Sequence, residues 1–266
     1  MALSSLHTTH AAAAQPAVRK IGLRDIADAI LAGIEDFAAK PTHLYFLGVI
    51  YPLVTLGAFL VVFNYDLLPL VFPVISGSLL VGPLLTIAMC EISRRRERGE
   101  DISSSSSGNF LRNPAARDIL LLGGVLLTLF FFWLTAAMTI YGLTLGDPWQ
   151  TVSPRLAEEF VTRLFSTPEG WALIAIGNGV GLFFAITALC ISVVSFPLLL
   201  DRHVSIGTAI MTSIRAVQAN PVMTAVWGFL VALALLIGAL PFLVGLAVCV
   251  PVLGHATWHL YRRLVV

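Results

Sequence analysis

The chain has 266 residues, 58% of them apolar and 12% charged, with a formal net charge of +1. A soluble domain carries about 25% charge and a disordered chain is polar and charged, so the composition excludes both for most of the length. The small net charge gives no electrostatic ground for binding nucleic acid.

Residues 1–20 are Ala-, Ser- and His-rich and lack the charged start and apolar run of a signal peptide. They read as a disordered cytoplasmic tail. Ile26, Ile30, Ile34 and Phe37 then recur at helical spacing and predict an amphipathic helix, which Pro41 ends. Its charges are mixed, so its apolar stripe is expected to pack partly against the bundle rather than dock on anionic lipid.

A membrane helix needs about 20 mostly apolar residues. Stretches near 43–63, 67–92, 119–145 and 171–200 qualify. The apolar block 222–261, broken by Gly238 and Pro241, reads as a tight hairpin of spans 222–239 and 241–261 rather than one long kinked helix. Ser153-Pro154 and Thr167-Pro168 are helix-start signals, and Leu156, Phe160 and Leu164 predict a short outer-surface helix between spans three and four.

Six spans put 14 of the 16 Lys and Arg residues on one side, leaving Arg155 and Arg163 opposite. Cytoplasmic loops collect basic residues, so both termini are expected in the cytoplasm. Cys90, Cys190 and Cys249 fall inside spans and read as small buried thiols.

The chain also matches itself. A shift of 180 lays Ile26, Ala29, Ile30, Ile34, Ala39 and Pro41 on Ile206, Ala209, Ile210, Ile214, Ala219 and Pro221. A shift of 168 lays Gly77, Pro83, Leu85, Ala88, Arg94 and Arg95 on Gly245, Pro251, Leu253, Ala256, Arg262 and Arg263. Each unit is an amphipathic helix, a break and a two-helix hairpin ending in Arg–Arg. Both start on the same side, so the repeat is parallel. The reading is an all-α, six-span bundle with amphipathic interfacial helices, one domain over 21–263. Unit one covers about 22–96, the central spans about 118–200 and unit two about 202–263.

Three segments, FPVISGSLLVGPLLTIAMCEISRRRERGE at 72–100, VSFPLLLDRHVSIGTAIMTSIRAVQANP at 194–221 and GHATWHLYRR at 254–263, resemble the bacterial integral-membrane family called "domain of unknown function 2189". The resemblance extends over roughly residues 22–263. It implies a bacterial inner-membrane protein and no particular activity. The Ser run at 103–107 departs from the regular linker the family would lead one to expect.

His255 and His259 share a helical face and are candidate metal or haem ligands, with Glu91 aligned at similar depth. The alternative places both at the cytoplasmic interface, with Trp258 and Tyr261 in the headgroup belt. Glu91 and Asn178 are candidate polar residues at membrane depth. Glu91 can instead pair with Arg94 and Arg95. Asn178, between Gly177 and Gly181, serves either helix packing or a pathway lining. The Arg94–Arg98 cluster retains topology or binds anionic headgroups.

Dinucleotide, P-loop, nucleophile-elbow and metalloprotease motifs are absent from the sequence. The favoured function is therefore a non-enzymatic structural or accessory membrane component, with no cofactor called for. A small transporter or channel is the alternative, and a haem- or metal-associated membrane protein the second. The expected partners are the lipid bilayer and either further copies of the chain or other membrane proteins.

Overall fold

The computed structural model describes residues 16–40, 72–74, 76–77, 82–83, 86–100, 115–146, 154–240 and 245–266, with side chains from 158 onward in the 154–166 helix. The described helices are α1 (Leu23–Ala39), α2 (Ile87–Glu97), α3 (Ala116–Thr144), α4 (Pro154–Ser166), α5 (Pro168–Ser192), α6 (Ser195–Asp201), α7 (Ile206–Ala219), α8 (Pro221–Ala239) and α9 (Leu246–Leu264). Residues 72–74, 76–77 and 82–83 are also helical. The fold is all-helical among the described residues, apart from one antiparallel bridge between Val18 and Val265.

The helix starts follow the local chemistry. Thr167 caps α5 by accepting the Gly170 amide at 3.1 Å, with Pro168 in the first turn, where a missing N–H costs nothing. Ser205 caps α7 by accepting the Thr208 amide at 3.2 Å. α5 and α6 are one apolar stretch broken at Val193–Val194, because Pro197 lacks the N–H that would continue the ladder. The Val194 amide donates instead to Ser213 Oγ at 3.2 Å.

Among the described residues, three helical stretches are long and apolar enough to cross a membrane: α3, α5 with α6, and α8. They cover the third, fourth and fifth expected spans. Span one lies outside the described residues, as does just under half of span two. The sixth, α9, is not one of the three, because its C-terminal half carries His255, His259, Arg262 and Arg263. Two helices nevertheless occupy the 222–261 block. α8 ends at Ala239, α9 begins at Leu246, and the two pack together. A Cβ on Gly245 would lie 2.7 Å from the Gly238 carbonyl oxygen, so glycine is what lets them meet.

α3 and α5 form an antiparallel pair. Trp133 packs on Phe184 with ring centroids 5.8 Å apart and touches the Cβ position of Gly181 at 3.2 Å. Helix α4 carries Phe160 against Tyr141, centroids 6.1 Å apart. At the other end of the molecule α1 runs along α9, which also packs on α2.

Two expectations change. Residues 16–20 do not behave as a loose tail. The Arg19 amide donates to Leu264 O at 2.8 Å and the Val266 amide to Ala17 O at 3.0 Å. Asn220 extends this pairing, accepting the Ile21 amide at 2.8 Å and donating to Arg19 O at 3.1 Å. The face that α1 turns to the bundle is also different. Ile26, Ala29, Gly33 and Asp36 are buried, whereas Ile34 is 46% exposed. Close approach decides this. A Cβ on Gly33 would lie 2.7 Å from the Ala256 backbone nitrogen, so the small residues of α1, not its largest, set the contact line.

Candidate functional site

The α1–α9 line ends in a buried polar junction. α1 supplies Asp36, the last turn of α2 supplies Ser93 and Arg96, and α9 supplies His255 and His259 one turn apart. Gly33 admits α9 on one side. On the other, a Cβ on Gly254 would lie 2.9 Å from Met89 Cβ, so α2 also sits close.

Asp36 is the hub. Its Oδ2 accepts from Ser93 Oγ at 2.5 Å and from His259 Nε2 at 2.8 Å, and its Oδ1 from Arg96 at 2.5 Å. Ser93 Oγ also contacts His255 Nδ1 at 2.8 Å. The protons then follow. An ionised carboxylate only accepts, so the single Ser93 proton goes to Asp36. His255 must therefore carry its proton on Nδ1 and donate to Ser93. Its Nε2 is left as a buried lone pair without a hydrogen-bond partner.

Burial opposes the Asp36 charge. The hydrogen bonds from His259, Ser93 and Arg96, with the His259 charge, outweigh it and hold the carboxyl down to about 2. Asp25, at the start of α1, is held below the usual carboxylate range by the Gly22 amide and by Arg263, against a small burial cost.

The junction is rimmed by further ion pairs. Glu97 accepts from Trp258 Nε1 at 2.9 Å and Arg262 at 3.0 Å. Asp201 accepts from Tyr261 Oη at 2.8 Å and Arg98 at 3.0 Å. Arg263 lies 3.2 Å from Asp25 and 3.4 Å from Asp28. Trp258 and Tyr261 are thus 1% and 0% exposed. The Trp258 indole N–H is taken by Glu97 and the Tyr261 hydroxyl by Asp201.

The four residues singled out from the sequence do not converge. His255 and His259 both reach Asp36, one through Ser93 and one directly. Glu91 accepts from Arg94 at 2.7 Å and Arg95 at 2.6 Å on its own helix. Asn178 is exposed on α5 and donates to Ile174 O at 2.7 Å. Of the two glycines flanking it, Gly181 packs within the chain on Trp133, and a Cβ at Gly177 would meet nothing within 4 Å. Among the described residues no group of three or more His, Cys, Asp and Glu could hold a metal ion. Cys90 is buried and donates to Gly254 O at 3.4 Å, while Cys190 and Cys249 are half-buried free thiols.

The basic cluster is largely neutralised from within: Arg94 and Arg95 on Glu91, Arg96 on Asp36, Arg98 on Asp201. A groove of about 580 Å³ between α3 and α5, lined by residues such as Phe132, Val180 and Phe184, is apolar. The hydroxyls of Thr135 and Thr139 within it donate to their own helix.

Sequence reasoning missed Asp36, Ser93, Glu97 and Asp201. The available signal was Asp36 itself, an acid in line with Ala29 and Gly33, the small residues that bring a second helix close.

The sequence model of the family described as "Predicted integral membrane protein (DUF2189)" matches residues 71–201. That segment belongs to the family the sequence resembled, and the protein is an integral membrane protein. The match holds Ser93 and Arg96 but neither Asp36 nor the 254–263 segment. No curated protein and no solved structure matches the chain.

Proposed function

We propose that this DUF2189-segment protein is a non-enzymatic structural or accessory component of a bacterial inner membrane. In this reading it has six spans, both termini in the cytoplasm and two parallel repeat units. The observation that carries the functional part is the closure of the polar junction. Ser93 and His255 are residue types of acyl-transfer sites, yet they are 1% and 0% exposed. The carboxylate bonds the serine rather than the far side of the imidazole, which reverses the order a nucleophilic triad needs.

The topology is supported by the company the charges keep. The segments at the start of α1, the end of α2, Asp201 and the end of α9 share one ionic cluster, as segments on one side of a bilayer would. The repeat is supported by register. The shift of 180 carries buried Ala29, Gly33 and Asp36 onto buried Ala209, Ser213 and Ala216.

A fluorophosphonate probe on the detergent-solubilised protein is expected to leave Ser93 unlabelled, and stoichiometric labelling at Ser93 would overturn the non-enzymatic reading. Reporter fusions at residue 160 and at the C-terminus are expected on opposite sides, and a cytoplasmic residue 160 would overturn the topology.

One observation favours a transporter as the second reading. The chain His259–Asp36–Ser93–His255 ends on an unpartnered buried nitrogen, as the inner end of a proton path would. Proton flux into dye-loaded proteoliposomes, lost in Asp36→Asn, would promote it.

A further inference from the structure

Asn178 is a polar residue on the outside of an apolar helix. Trp171, Ala175, Asn178, Leu182 and Ala185 are all exposed, and they recur at spacings of four, three, four and three. That spacing is the seam of a left-handed helix pair. No residue in it is charged. Trp171 Nε1 donates to Phe165 O at 3.1 Å, at the outer end of α5. Asn178 lies seven residues further along, about 10 Å deeper at 1.5 Å per residue. The proposed span reading puts it in hydrocarbon.

Its amide is half used. One N–H donates to Ile174 O, and Oδ1 has no partner among the described residues. Lipid chains offer none, and a polar group left bare in hydrocarbon costs several kcal/mol.

We infer that a second copy of this chain docks on this face of α5, pairing Asn178 with Asn178 across a two-fold axis along the membrane normal. Three observations select that occupant. The free N–H and free Oδ1 make the amide self-complementary. Two copies inserted the same way bring their residues 178 to the same depth, as an isologous contact requires. Ala175, one seam position before the amide, and Ala185, two positions after it, are small enough to let the two backbones approach closely. The inference rests on α5 being a span, as proposed above.

The test uses the full chain, dye-labelled and reconstituted in phosphatidylethanolamine–phosphatidylglycerol vesicles at falling protein-to-lipid ratios. Subunits are counted by photobleaching steps, and resistance to alkaline extraction is read on the same vesicles. Wild type is expected to show two steps. Asn178→Leu is expected to weaken dimerisation about threefold to thirtyfold, the range of one or two interhelical hydrogen bonds. Asn178→Gln, which keeps the amide, is expected to lose less. Inserted wild type that stays single, its Asn178 covered by another segment of its own chain, overturns the seam. So does an Asn178→Leu protein that dimerises as tightly as wild type. Protein stripped by alkali overturns the span reading and the seam with it.

Discussion

The α1–α2–α9 junction and the α3–α5–α8 helices solve opposite problems. In the most apolar windows of α3 and α8 only 28% and 11% is buried inside the protein. Phe132, Phe183 and Phe229 are 63%, 65% and 65% exposed. In water such a surface would aggregate, and in a bilayer it needs no protein partner. The C-terminal half of α9 carries imidazoles, guanidinium groups, an indole and a phenol, and the chain folds α1 over it. The same molecule therefore leaves much of its apolar surface to the lipid and encloses a polar cluster beside its apolar core. Packing follows the division. Large rings meet along α3 and α5, and glycine-width contacts hold the junction.

That contrast breaks most sharply at Gly33. Gly33→Leu puts a side chain where even a Cβ lies 2.7 Å from the Ala256 backbone. Neither helix can yield by a rotamer change, so α1 must leave α9. The expected outcome is loss of several kcal/mol, about 3–5, from separated helices and uncovered charges, seen as a large fall in Tm in detergent. Gly124→Ala on α3 is the counterpart. A Cβ there meets nothing within 4 Å, so the change is expected to be neutral or to stabilise by up to about 1 kcal/mol. Equal effects at the two sites would erase the distinction between the regions.

Asp36→Ala comes next. It strands Ser93, Arg96 and His259 at once, at a cost of about 3 kcal/mol, measured by thermal unfolding. Acid titration isolates the charge itself. A carboxyl lowered to about 2 from an ordinary 3.8 contributes stability that is complete above the unfolded value. That contribution drains away as pH falls through the folded one. About 2 kcal/mol is therefore expected to disappear between roughly pH 4 and pH 2. Asp36→Asn should be less stable at pH 7 and lack that part of the acid decline. If its profile parallels wild type throughout, the charge on Asp36 is not what binds α1 to α9.

The spans were legible because hydrocarbon recognises only length and polarity, and 119–145, 171–200 and 222–239 state both in one dimension. The capping signals at Thr167 and Ser205 were legible for the same reason, since a cap acts within three residues. Asp36 was not, because it meets Ser93 57 residues away and His259 223 away, through helices placed by Gly33 and Gly254. Periodicity gave α1 a face but chose Ile34 over Gly33, because a pattern of large apolar residues cannot say which of two faces meets protein and which meets lipid. The ion pairs within α2, Glu91 with Arg94 and Arg95, were foreseen because they are three and four apart. Glu97 with Trp258 and Asp201 with Tyr261 are not local and went unseen.

Tyr261→Phe gives the smallest expected effect and the finest test of the contrast. If Tyr261 served as a headgroup anchor, removing its hydroxyl would alter insertion and leave core stability almost unchanged. Its ring is 0% exposed and its hydroxyl donates 2.8 Å to Asp201, which also holds Arg98. The substitution keeps the ring packed on Trp258, centroids 5.4 Å apart, and removes one hydrogen bond to a charged acceptor. A loss of about 1–2 kcal/mol in unfolding free energy is expected, with membrane insertion unchanged. Asp201 then keeps only its guanidinium partners, so adding Arg98→Ala to Tyr261→Phe should cost more than the two single changes together. Simple additivity would mean that α6 and α9 are joined by packing alone, and that the ionic rim is incidental to it.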